Sequence, residues 1–119
     1  MTETQNAKRY DLEDRTFEFA KQVNGYVKCL PRTVPNSEIA RQLARSAGSV
    51  GANYIEANES LSKKDFGMRI KICRKEAKES LYWLRLSEPE GSMDPHRNAL
   101  IQEATELTKI FGSIVEKVK

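Results

Sequence analysis

The chain has 119 residues with four Pro, six Gly and a formal net charge of +3, a length that suits one domain able to bury a core without metal or disulfide staples. No apolar run approaches the roughly 18–20 residues needed to cross a bilayer, and the first nine residues lack the apolar core of a signal peptide. The expected setting is therefore cytoplasmic, without membrane contact.

The apolar residues fall at helical spacing, and no segment alternates as a strand does, so an all-α protein is expected. Residues 1–10 are polar and read as a flexible lead-in to a bundle over 11–119. Asp11 is the expected N-cap of the first helix, placed at about 12–30, with Thr16, Ala20, Val23, Val27 and Leu30 on its seam and Phe17, Phe19 and Tyr26 flanking it. Pro31 stops it, because a residue preceding proline is pushed out of the helical region. A stiff link, Pro31 to Asn36, leads to a helix at about 37–57 capped by Asn36 or Ser37. Its apolar face is Ile39, Leu43, Ala47, Val50, Tyr54 and Ala57. Beside that face run Ala40, Ala44, Gly48 and Ala52, with Gly51 added. Glycine inside a helix costs about 1 kcal/mol relative to alanine, so Gly48 and Gly51 imply close approach of a neighbouring helix or subunit; simple tolerance is the plain alternative.

Asn58 is a candidate for the left-handed conformation that closes a helix. Ser62 with Asp65 is a start signal for a third helix at about 63–87. Phe66, Ile70, Cys73, Ala77, Ser80 and Leu84 form its seam, while Ile72, Leu81, Trp83 and Leu86 lie outside it. That excess of apolar surface implies a wide bundle interior or a subunit interface. Asp94-Pro95 reads as the N-cap and first residue of a fourth helix at about 95–118, with Leu100, Ala104, Leu107, Phe111, Ile114 and Val118 inward. Four helices with short connections make an antiparallel up-down-up-down four-helix bundle. Cys29 and Cys73 fall in helical patterns and read as buried free thiols, ahead of a disulfide.

Charge is unevenly placed. Residues 1–62 hold eight basic and eight acidic side chains, 63–88 hold eight and four, and 89–119 hold four and five. In the third helix Lys64, Lys71, Lys78 and Arg85 recur every seven residues and so form one line, which Arg74 and Lys75 broaden. Such a line can bind phosphates in a salt-sensitive, sequence-independent way. An ordinary solvated helix face is the alternative.

Several blocks carry a family resemblance: Arg15-Thr-Phe-Glu-Phe-Ala20, Ile39-Ala-Arg-Gln-Leu-Ala-Arg-Ser46, Ser49-Val-Gly-Ala-Asn-Tyr-Ile-Glu-Ala57, Ser62-Lys-Lys-Asp-Phe66 and Lys75-Glu-Ala-Lys-Glu-Ser-Leu-Tyr-Trp-Leu-Arg-Leu86. Together these resemble the four-helix-bundle proteins of the 23S rRNA intervening-sequence type, most strongly from Arg41 to Leu86. The resemblance implies a protomer of a homo-oligomeric ring, typically a homopentamer. It also implies kinship with accessory proteins of diversity-generating retroelements, which contact a reverse transcriptase and nucleic acid. It supplies no catalytic residues. Glu59 departs from the pattern, since glycine is common after the second-helix motif, and Asn58 is the candidate to take over the turn.

The remaining motifs favour structural roles. Tyr82 and Trp83 beside the basic line read as core or interface rather than base-stacking residues. Asn53 and Glu56 read as a polar pair that sets register or subunit contact, with Arg41, Arg45 or Arg74 as candidate partners, and only secondarily as a ligand site. His96 has no Cys or Glu at ligand spacing, so neither metal nor cofactor is expected. Ser60 and Lys63 match a Ser-x-x-Lys string too short to carry weight. The expected function is non-enzymatic binding of RNA or DNA through the third helix. A protein-interaction scaffold is the alternative.

Overall fold

The computed structural model describes residues 2–119, and side chains from residue 12 onward. It contains α1 (Thr2–Lys28), α2 (Val34–Asn58), α3 (Lys63–Leu86), a short 3-10 turn (Gly91–Met93) and α4 (Asp94–Lys117). No strand occurs among the described residues, so the expected all-α class with four helices holds. α1 begins at Thr2, so Asp11 falls inside the helix and is not its cap, while the side chains of the expected flexible segment 1–10 lie outside those described.

The helix starts follow capping chemistry, with two differences from the expected positions. Ser62 caps α3 as expected, its hydroxyl accepting from the Asp65 N–H at 3.0 Å. The cap of α2, however, is Thr33, whose hydroxyl accepts from the Asn36 N–H at 3.2 Å, and not Asn36 or Ser37. Pro35 then sits in the first turn, where its missing N–H removes no intrahelical bond. Asp94 is the first residue of α4 rather than its cap, because the 3-10 turn delivers Met93 to the cap position. Asn58 does not take a left-handed conformation: among the described residues no non-glycine residue has positive φ. Glu59 closes α2 at φ −96°, which suits any residue, so the turn has no need of glycine there.

The core draws on every helix. The inward faces of α2 and α3 match the expected seams closely, and in α4 Val115 takes the inward place expected of Ile114. The seam of α1 is rotated: Leu12, Thr16, Phe19, Val23, Tyr26 and Leu30 are buried, Ala20 and Val27 are half-buried, and Phe17 is 67% exposed. Leu12 and the aromatics at 19 and 26 cover more apolar area than the alanine row can, and they set the helix orientation.

The pairing of α2 with α3 is the most extensive in the molecule, and that of α1 with α4 is sparse. In the α2–α3 seam the Ser46 and Ser80 hydroxyls meet at 2.8 Å. At one end of the bundle Asn36 joins two links: its amide nitrogen donates to the carbonyls of Pro31 and Glu88, each at 3.0 Å, and its carbonyl oxygen accepts from the Glu88 N–H at 3.0 Å. Beside it the Tyr26 hydroxyl meets that of Ser87 at 2.6 Å.

The two helix-two glycines part company. A Cβ on Gly51 would stand 3.0 Å from Thr16 Oγ1 and 3.3 Å from Thr16 Cβ, so α1 packs directly on it. A Cβ on Gly48 would meet nothing within 4 Å. The expected close approach therefore applies to Gly51 and not, within the protomer, to Gly48. Cys29 is also a correction: it is exposed, because α1 ends at Lys28 and position 29 lies in the turn that follows. Cys73 is buried as expected, and burial pushes its thiol up to about 12.

Two measurements follow from this packing. Gly48→Ala is expected to stabilise by about 0.5–1 kcal/mol through helix propensity, and Gly51→Ala to be less stable than Gly48→Ala by about 1 kcal/mol, read by urea unfolding. A thiol reagent is expected to modify Cys29 rapidly in the native protein and Cys73 only on unfolding, as read by mass spectrometry of the labelled peptides.

Candidate nucleic-acid interface

The inward and lateral faces of α3 are committed to the bundle, which decides what its outward face carries. Ile70, Cys73, Ala77, Ser80 and Leu84 point into the core. Lys64, Lys71, Lys75, Lys78 and Arg85 are exposed, and none of them enters an ion pair among the described residues. From Lys64 to Arg85 the line runs about 32 Å. Arg74 stands apart from it. That side chain is half-buried and lies along α4, with its Cδ 3.6 Å from where a Cβ on Gly112 would be. Arg69 also turns away and donates to Asn53 Oδ1 at 3.0 Å.

The outward face is not purely charged. Met68, Lys75 and Tyr82 recur every seven residues, so they form a second line beside the first. Tyr82 is 57% exposed and Met68 is 56% exposed. The Tyr82 ring stands edge-on to Trp83, with centroids 5.0 Å apart and planes at 75°. Near the start of α3 a groove of about 300 Å³ opens against the end of α4. It is lined by Met68, Val115 and Val118 together with Lys64, Lys71 and Lys119.

Trp83 is half-buried and turned toward α2. Its Nε1 donates to Glu79 Oε2 at 2.9 Å. Arg45 of α2 pairs with the same carboxylate and lies 3.4 Å from Glu76. Glu76 is only 6% exposed, and its Oε1 has no hydrogen-bond partner. Burying a carboxylate is costly unless it is paired, and Arg45 supplies that pairing. Neither Glu76 nor its bridge to Arg45 was expected. The available signal was that Cys73, Glu76 and Ser80 step by three and four, which puts Glu76 close to the seam.

The expected Asn53–Glu56 pair does not form. Asn53 donates to the Ser49 carbonyl at 2.9 Å and accepts from Arg69, not from Arg41, Arg45 or Arg74. Glu56 is exposed. Residues 53 and 56 are only about 60° apart around the helix, but the Asn53 carbonyl oxygen is taken by Arg69 while Glu56 stays in solvent. His96 packs edge-on against Tyr26 with centroids 5.7 Å apart. Among the described residues no cluster of His, Cys, Asp and Glu is placed to hold a metal ion, and no helix is long and apolar enough to cross a membrane.

Comparison with known proteins gives two findings. The family model described as 23S rRNA-intervening sequence protein matches residues 8–113. A crystal structure of a protein with unknown function from the S23 ribosomal protein family of Bacteroides thetaiotaomicron VPI-5482 is similar to this chain at 29% identity and a TM-score of 0.73, covering 87% of this chain and 97% of the other. No curated protein matches.

The Glu79 contacts carry a pH signature. Its carboxyl is held below the ordinary value of 4.5, chiefly by the Trp83 hydrogen bond and further by Arg45, against an opposing contribution from burial. The folded state thus holds this proton less tightly than the unfolded chain does. The stability it contributes is complete above about pH 4.5 and is lost as pH falls through the lower folded value. Trp83 is the only tryptophan, so its emission is expected to titrate with a midpoint below 4.5, and Glu79→Gln to abolish that transition.

Proposed function

The chain belongs to the 23S rRNA-intervening sequence protein family, and on that premise we propose that it is a non-enzymatic protein that binds RNA or other nucleic acid through the outward face of α3. The observation that carries the reading is the row of Lys64, Lys71, Lys75, Lys78 and Arg85, exposed and free of ion pairs among the described residues. Exposed cations outside ion pairs are available to phosphates, and phosphate binding releases counterions. The working form is an antiparallel protomer repeated in a cytoplasmic homo-oligomeric ring, a pentamer by family resemblance. Repetition multiplies the basic face and raises avidity.

A second reading rests on a different surface. Phe17 and Ile55 are large, apolar and exposed, and Gly48 and Ala52 expose small side chains on α2. The Thr16–Gly51 contact brings this part of α1 against α2. Such a face suits a protein neighbour, either another copy of the chain or a partner such as a reverse transcriptase. The two readings are compatible, because they use different faces.

Five phosphate contacts give a slope of log affinity against log salt of about −4, so affinity is expected to fall about 10²–10³-fold between 50 and 200 mM salt. Reversing Lys71, Lys75 and Lys78 to Glu is expected to abolish binding at both concentrations in an electrophoretic assay. No binding by the wild type at low salt, or binding unchanged by the reversal, contradicts the proposal.

A further inference from the structure

We infer that the ligand of the α3 face is a single-stranded nucleic acid, held by base stacking on Tyr82 as well as by phosphate contacts to the lysines. This rests on the nucleic-acid reading above and narrows it.

The placement of Tyr82 carries the inference. An aromatic on a small bundle is ordinarily turned into the core, and Tyr26 and Tyr54 of this chain are buried in that way. Tyr82 is instead 57% exposed, in the outward row that also holds Lys75. Lys78 and Arg85, one helical turn before and after it, are both exposed. Among the described residues its ring neighbour is Trp83, which meets it edge-on at 75°. Trp83 itself is anchored by its hydrogen bond to Glu79. An aromatic flanked by cations and braced by a fixed neighbour is a stacking platform, and any base can stack on it.

Met68 adds a second apolar position 14 residues earlier in the same row, lining the same groove as Lys64 and Lys71. Apolar positions interleaved with cations match a strand whose bases are free and whose phosphates alternate with them. A duplex offers this face its phosphates, but its bases are already stacked and are not available to Tyr82. A second copy docked α3 to α3 is a poor occupant, because five cations without ion pairs would be buried against one another, at a large desolvation cost.

The test is fluorescence anisotropy at one fixed salt concentration, with a labelled oligouridine, an oligothymidine and a mixed-sequence duplex of equal length. Wild-type protein is expected to bind both single strands more tightly than the duplex. Tyr82→Ala is expected to weaken single-strand binding about tenfold and duplex binding less than about twofold, and Tyr82→Phe to behave as wild type. Lys71→Glu is expected to weaken all three. Circular dichroism checks that the variants stay folded, which the exposure of position 82 favours. If Lys71→Glu weakens binding while Tyr82→Ala does nothing, or weakens all probes equally, the stacking inference is overturned and the basic-face reading stands. If no probe binds the wild type, both fall.

Discussion

A buried pair of serines sets the geometry on which the rest depends. Ser46 and Ser80 face each other in the α2–α3 seam, where one hydroxyl donates to the other and the second donates to a carbonyl of its own helix, Leu43 for Ser46 or Glu76 for Ser80. Short side chains let the two helices approach closely. A change of register would break the hydrogen bond between the pair, a loss of about 0.5–1.5 kcal/mol. Arg45 strengthens the same seam by bridging Glu76 and Glu79. With that side of α3 fixed against α2, and Arg74 laid along α4, the surface left for solvent is the basic row with Met68 and Tyr82 in it.

The polar knot at one end of the bundle has a complementary effect. Asn36 is 2% exposed, and the three carbonyl and amide contacts made by its side chain join the α1–α2 link to the segment after α3. Ser87 extends the knot to Tyr26 and, through its carbonyl, to Arg97 of α4 at 2.9 Å. The sparse α1–α4 side is braced by Arg15, which reaches Glu103 at 2.7 Å and Glu106 at 3.1 Å. α3 therefore offers its face from a helix anchored along its length and at its C-terminal end, which keeps the order and spacing of its cations fixed.

Much of this was legible in the residues, for definite physical reasons. The three-and-four stepping of α2 and α3 gave their inward faces, and Ser62 with Asp65 gave the start of α3, because both are local signals. Thr33 was missed because Pro31 and Pro35 together look like a rigid link, although a proline in the first turn costs a helix nothing. The α1 seam was misread because Thr16, Val23 and Leu30 fit two neighbouring stripes, and only the bulk of Phe19 and Tyr26 against the other helices chooses between them. The basic row was readable from its seven-residue repeat. The exposure of Tyr82 and the inward turn of Arg69 toward Asn53 were not, since both depend on where α2 stands beside α3. The Arg45–Glu79 and Ser46–Ser80 contacts join residues 34 apart and leave no trace in a single sequence.

The central claim is that the outward face of α3 is where the ligand lies. Photocrosslinking of bound RNA, with the modified peptides located by mass spectrometry, tests it directly. Adducts are expected to concentrate between Lys64 and Arg85, with Tyr82 among them. Adducts concentrated on α1 around Phe17, on the exposed side of α2, or spread evenly over all four helices would contradict it.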